Sequence, residues 1–137
     1  LVSSAAGNIA SFRSVTVAAS HTWIGDLRFW LVSPSGLEVL IMDRPGTGIG
    51  DSSNLLSGFP ITFDDAAALG AEAMGNTIGT DQVVCRDDGF CTFFPEPDQL
   101  ADFAGQAASG TWRFCVSDSA GADTGAIARV SADATFN

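Results

Sequence analysis

Lysine is absent from this 137-residue chain, and histidine occurs once, at His21. The six basic side chains are all arginine, against sixteen Asp plus Glu, for a formal net charge of −10. A chain this acidic repels a phosphate backbone, which argues against nucleic acid as a partner. Long apolar runs are missing too. Hydrophobic residues make up 46%, yet no stretch approaches the roughly 18 apolar residues of a membrane span. No signal peptide is visible and Leu1 is not an initiating methionine, so the sequence reads as a fragment or a mature product. The Gly-x-Ser-x-Gly elbow of a serine hydrolase is absent, as is the spacing of an EF-hand. Length and composition suit one domain, residues 1–137, with a sizeable core.

Cysteine is scarce, with three in all. Cys85 and Cys91 bracket Arg86-Asp87-Asp88-Gly89-Phe90. The Asp-Gly pair favours a tight reversal that brings two sulfurs together, so a Cys85–Cys91 disulfide is expected, and with it an oxidising, extracellular setting. Zinc is the rival reading, but two thiols and one distant histidine make a poor tetrahedral set. Cys115, inside a strand-like run, reads as a small packed residue.

Helical periodicity is also lacking. Gly and Pro punctuate the chain every 10 to 15 residues, the pattern of an all-β sandwich. Residues 12–19 place Val15, Val17 and Ala19 on one parity, which predicts a first strand. Residues 26–32 place Leu27, Phe29 and Leu31 on one face and Arg28, Trp30 and Val32 on the other, which predicts a central strand. Pro34-Ser35-Gly36 predicts a turn, and residues 38–42 return as a hairpin partner. Residues 43–54 predict a long loop, and 61–63 a short strand. The Ala-rich stretch 64–74 predicts a brief helix with Asp64 as N-cap. Residues 75–97 are irregular. Leu100 and Phe103, spaced i, i+3, predict one helical turn on the core. Residues 111–117 predict a strand with Trp112, Phe114 and Val116 inward. Residues 126–136 predict a long closing strand with Ala128, Val130, Ala132, Ala134 and Phe136 on one parity.

Several motifs occur in one order: His21-Thr22-Trp23-Ile24-Gly25-Asp26-Leu27, Ser33-Pro34-Ser35-Gly36, Phe63-Asp64-Asp65, the segment 97–105 with Leu100, Phe103 and Gly105, Gly110-Thr111-Trp112, and Asp118 with Gly121-Ala122-Asp123-Thr124-Gly125. In this register the chain resembles the P domain (P/Homo B domain) of furin- and kexin-like proprotein convertases and of secreted bacterial subtilases. The likeness spans roughly residues 15–136. Two features depart from the pattern: Ala122 inside the Gly-Asp-Thr-Gly close, and the Cys85–Cys91 insert. The resemblance implies a jelly-roll-like, galactose-binding-like antiparallel β-sandwich. It implies a secreted, non-catalytic accessory domain that packs against or tethers the adjacent catalytic domain of a serine endopeptidase or other hydrolase, and often binds calcium.

His21 would be the only base for a Ser–His–Asp triad, but it falls in the turn motif, where its ring is expected to bond loop backbone. Asp64-Asp65 and Asp87-Asp88 are sequence neighbours, and neighbours on a strand point to opposite faces, which does not suit a glycosidase pair. Calcium fits better, because it takes about 6 to 8 oxygens from carboxylates, amides and carbonyls of loops. One expected ligand set is Asp51, Asn54, Asp64 and Asp65, with Asp26. A second is Asp118 and Asp123 with carbonyls of the 121–125 loop. Helix capping by Asp64 and turn formation by Asp123 are the structural alternatives. Trp23, Trp30 and Trp112 could form a sugar-stacking platform, Trp23 being the one most able to be exposed. An independent module that binds carbohydrate or a cell surface, or that forms a calcium-dependent homodimer, is therefore the alternative function.

Overall fold

A computed structural model describes residues 1–46 and 52–137. The strands are β1 (Val2–Ser3), β2 (Ile9–His21), β3 (Leu27–Val32), β4 (Glu38–Asp43), β5 (Ile61–Phe63), β6 (Thr92–Phe93), β7 (Gly110–Thr111), β8 (Arg113–Asp118) and β9 (Gly125–Phe136). Two larger sheets result. One has the order β6-β5-β2-β9 and the other β4-β3-β8, while β1 and β7 form a two-stranded ribbon. Pairing is antiparallel except between β5 and β6. This is the all-β sandwich that the spacing of turns predicts.

The alternation read from the sequence decides which faces meet. Phe12, Val15, Val17 and Ala19 of β2 are buried, as are Leu27, Phe29 and Leu31 of β3, while Arg28 is exposed. On β4 the register against β3 shifts between Phe29 and Trp30. That bulge turns both Ile41 and Met42 inward, and both are fully buried. The predicted turn at Leu100 and Phe103 is a short 3₁₀ helix, Leu100–Phe103. It drives Phe103 into an aromatic trio, with ring centroids 5.2 Å from Phe12 and 5.0 Å from Trp112. The Trp112 indole N–H donates to the Ala108 carbonyl at 3.1 Å, so the one polar atom of that ring is satisfied inside the core.

Three expectations need correction. The stretch 64–74 is not a helix: only Ala71–Ala73 forms a 3₁₀ turn. Asp64 instead makes an Asx turn, its Oδ1 accepting the Ala66 N–H at 2.8 Å, which competes with helical bonding at the site expected to start it. On β9 the alternation slips. Ala18 pairs with Arg129 but Ala19 pairs with Ile127, so Ala128 is the extra residue of a bulge. Ile127, not Ala128, takes the inward position. Val116 does lie on the inner face of β8, paired beside Phe29, but it is 44% exposed. The reason is topological: among the described residues β8 and β9 are edges of their respective sheets, and the mouth between them stays open.

Candidate functional site

His21 ends β2, and its side chain is only 3% exposed. The Trp23 backbone N–H donates to His21 Nδ1 at 3.0 Å. That contact requires a lone pair on Nδ1, so the neutral ring carries its proton on Nε2 and donates to Asp118 Oδ2 at 3.1 Å. The predicted loop-backbone bond is present, and the aspartate partner is an addition. Asp118 in turn accepts the Ala120 N–H at 3.2 Å. These two donors, the His21 bond first, hold the Asp118 carboxyl below its ordinary range. A catalytic histidine needs one nitrogen for the carboxylate and the other for the nucleophile. Here backbone occupies the second nitrogen, so the ring braces a turn and is not poised as a base.

The same corner holds the other half of the expected second ligand set. Thr22 Oγ1 donates to Asp123 Oδ1 at 2.7 Å. Strand β9 enters at Gly125, paired with His21. A Cβ on Gly125 would lie 2.1 Å from the Ser20 carbonyl oxygen and 2.7 Å from His21 Cδ2. Close approach of two backbones, not turn conformation, therefore demands glycine at this point. Asp26 closes the 3₁₀ turn Ile24–Asp26 and is buried. Its carbonyl accepts the Ser119 N–H at 2.9 Å, tying that turn to the 119–124 loop.

The first ligand set does not gather at one place. Asn54 pairs through its backbone with Gln82 and Val84, and the adjacent Leu55 pairs with His21. Asp64 and Asp65 instead follow Phe63, which pairs with Val15. They stand some six residues back along β2, roughly 20 Å at about 3.3 Å per residue. Asp65 is committed there: its two oxygens accept the Leu100 and Ala101 N–H groups at 2.9 and 2.8 Å, capping the 3₁₀ turn that carries Phe103. Asp51 lies outside the described residues. Among the described residues no three His, Cys, Asp or Glu side chains converge as a metal centre.

The Cys85–Cys91 disulfide is present, and Cys115 is free and half-buried. The two aspartates between the bridged cysteines organise the loop. Asp88 Oδ1 accepts the Cys85 and Phe90 N–H groups, and Asp87 Oδ2 accepts that of Val83. The Arg86 guanidinium together with the Val83 N–H pulls the Asp87 carboxyl down to about 2. Trp23 and Trp30 are half-buried and Trp112 is buried, so the three form no shared exposed platform.

One carboxylate neighbourhood escaped the sequence reading. The Glu72 N–H donates to Glu96 Oε2 at 2.8 Å. Burial, then the Glu96 and Asp43 charges, push the Glu72 carboxyl up. A Cβ at Gly70 would meet Glu96 Oε2 at 2.3 Å. Only the crossing of β4 by distant segments brings these acids together, and no spacing rule could have announced it.

Residues 12–76 match the family model of the proprotein convertase P-domain. No curated protein and no solved structure matches the chain. The matched span runs from within β2 through the Ala71–Ala73 turn. The remainder completes the sheets that this span begins, since β9 pairs along β2 and β8 along β3. P-domains are non-catalytic accessory domains, which agrees with the engaged imidazole. Among the described residues no helix is long and apolar enough to cross a membrane.

Proposed function

We propose that this P-domain is the stabilising or tethering accessory module of a secreted subtilase-type protease or related hydrolase, acting on the catalytic domain of its parent polypeptide. The observation that carries this reading is the P-domain match over residues 12–76, combined with a sole histidine whose two nitrogens are spent on structure. The disulfide suits an oxidising, extracellular compartment. The isolated domain should show no turnover of peptide or ester substrates. Deleting it from the parent enzyme should lower that enzyme's thermal midpoint. A parent whose midpoint and secreted yield are unchanged by the deletion would sink the proposal.

Calcium belongs to the same reading. The net charge of −10 leaves the acidic turns short of cations. Asp118 and Asp123 stand at one corner, each bonded to the His21–Thr22 turn. An ionised carboxylate has about four lone-pair sites, so the bonds already made leave both able to bind an ion. Two carboxylates supply too few of the 6 to 8 oxygens calcium takes. Carbonyls of the 121–125 loop and water would complete the set. An ion that binds only the folded state adds RT ln(1 + [L]/Kd), about 2.7 kcal/mol at one hundred times Kd. Calcium should therefore raise the melting midpoint relative to chelator, and Asp118→Asn with Asp123→Asn should abolish the rise. Equal midpoints in both solutions would remove calcium from the proposal.

A further inference from the structure

Strand β9 is twelve residues long and, among the described residues, has a bonded neighbour strand, β2, on one side only. It is exposed along most of its length, and the inner faces beside it are open as well. Val116, Ile127 and Phe136 are 44%, 37% and 47% exposed. An edge strand directs alternate N–H and C=O groups away from its sheet, ready to bond another strand. Long apolar edges of this kind are ordinarily blunted by charge or by bulges. The bulge at Ala128 does this near one end, but residues 129–133 run in regular register against β2.

The charges on that regular segment complement themselves. Arg129, Ser131 and Asp133 pair with Ala18, Thr16 and Ser14, which places them on the outer face of the sheet. If two copies meet edge to edge, antiparallel, about a two-fold axis normal to the sheet, opposed residues must share a face. The registers that satisfy this centre on one residue. Centring on Val130 sets Arg129 against Ser131, and centring on Ala132 sets Arg129 against Thr135. Centring on Ser131 sets Arg129 of each copy against Asp133 of the other, twice over, with Val130 against Ala132 on the inner face. Asp133 has an exposed partner in its own chain, Arg13, at 3.9 Å, an arrangement worth little in isolation. The second copy's arginine would join that pair.

We infer that β9 is the pairing edge of a two-fold homodimer, centred on Ser131, that joins the β6-β5-β2-β9 sheets of two copies into one. The pairing also carries the open mouth between β8 and β9 towards its symmetry mate, covering the apolar positions Val116 and Ile127. A standard interface takes roughly 800 Å² from each partner, about an eighth of the 6440 Å² surface of this chain, so strand edge and mouth must both contribute. Net charge opposes association of two copies at −10 each. At physiological ionic strength that repulsion is screened beyond about 8 Å, whereas directly opposed side chains are not.

Charge reversal tests the register. Sedimentation velocity over a concentration series in about 0.15 M salt should show the wild-type chain as a reversible dimer. Arg129→Asp sets two aspartate pairs against each other and should weaken dimerisation at least tenfold, as should Asp133→Arg by opposing arginines. The double variant Arg129→Asp with Asp133→Arg restores the opposite pairing and should dimerise like wild type. This rescue also shows that neither exposed position is needed for folding. A wild-type chain that stays monomeric at the highest concentration overturns the inference, as do single variants that dimerise unchanged or a double variant that stays monomeric.

Discussion

Truncation of Phe103 to alanine is expected to cost about 3–5 kcal/mol of folding stability. The side chain is fully buried, and its ring meets Phe12 and Trp112. It sits where a short 3₁₀ turn, with no long helix to stiffen it, presses on the sandwich. The surrounding elements are held from both sides: Asp65 binds the N-terminus of the turn, and Trp112 is fixed through its indole N–H. Such a site collapses poorly around a cavity, so the loss should fall toward the upper part of that range. The melting midpoint should drop by on the order of 10 °C. Phe59, 40% exposed, provides the contrast. Its truncation should move stability by no more than about 0.5 kcal/mol. Equal effects at the two positions would mean that Phe103 is not where the core is concentrated.

His21→Ala is expected to cost about 1–3 kcal/mol, because it strands the Trp23 N–H and removes the Asp118 partner at once. The pH dependence separates this role from mere packing. Asp118 has a folded pKa below its ordinary value, chiefly through His21. A carboxyl lowered on folding contributes stability that is present above its unfolded pKa. The contribution is lost as pH falls through the folded value. Removing His21 should therefore move the Asp118 carboxyl back up, readable as a shifted ¹³C chemical-shift titration. The acid-side decline in melting midpoint should become shallower in the variant. Asp87, with a folded value of about 2 against an ordinary 3.8, supplies an internal reference. Its titration depends on Arg86 and Val83 and should not move. An Asp118 titration identical in variant and wild type would show that the histidine does not hold that carboxylate.

Much of this architecture was legible in the chain. Alternation of Val15, Val17 and Ala19, and of Leu27, Phe29 and Leu31, marks buried faces because side chains of a strand point by turns to opposite sides. The Leu100–Phe103 turn and the Cys85–Cys91 bridge were legible for the same kind of reason, since both are set by spacings of three to six residues. The slip at Ala128 was not legible. A bulge is a relation between β9 and a β2 residue more than a hundred positions away in sequence. The helix expected from Asp64 failed for a local reason instead: its side chain accepts the Ala66 N–H and so competes with helical bonding.

The candidate site divides along the same line. A lone His21 and the turn-forming close around Asp123 are properties of short segments and were legible as such, whereas the need for glycine at position 125 comes from the approach of β9 to distant β2. Which acids share a corner is different. Asp118 and Asp123 reach His21 and Thr22, whereas Asp64 and Asp65 stand well back along β2, Asp64 in its own Asx turn and Asp65 on the Phe103 turn. By itself the sequence determined the all-β class, the faces that pack and the bridge, because each follows from periodicity or short loop closure. Only the tertiary structure decided that β8 and β9 end their sheets on one open side, and which carboxylates meet. Those outcomes depend on long-range strand order, which pairing across the whole sheet selects and no local stretch encodes.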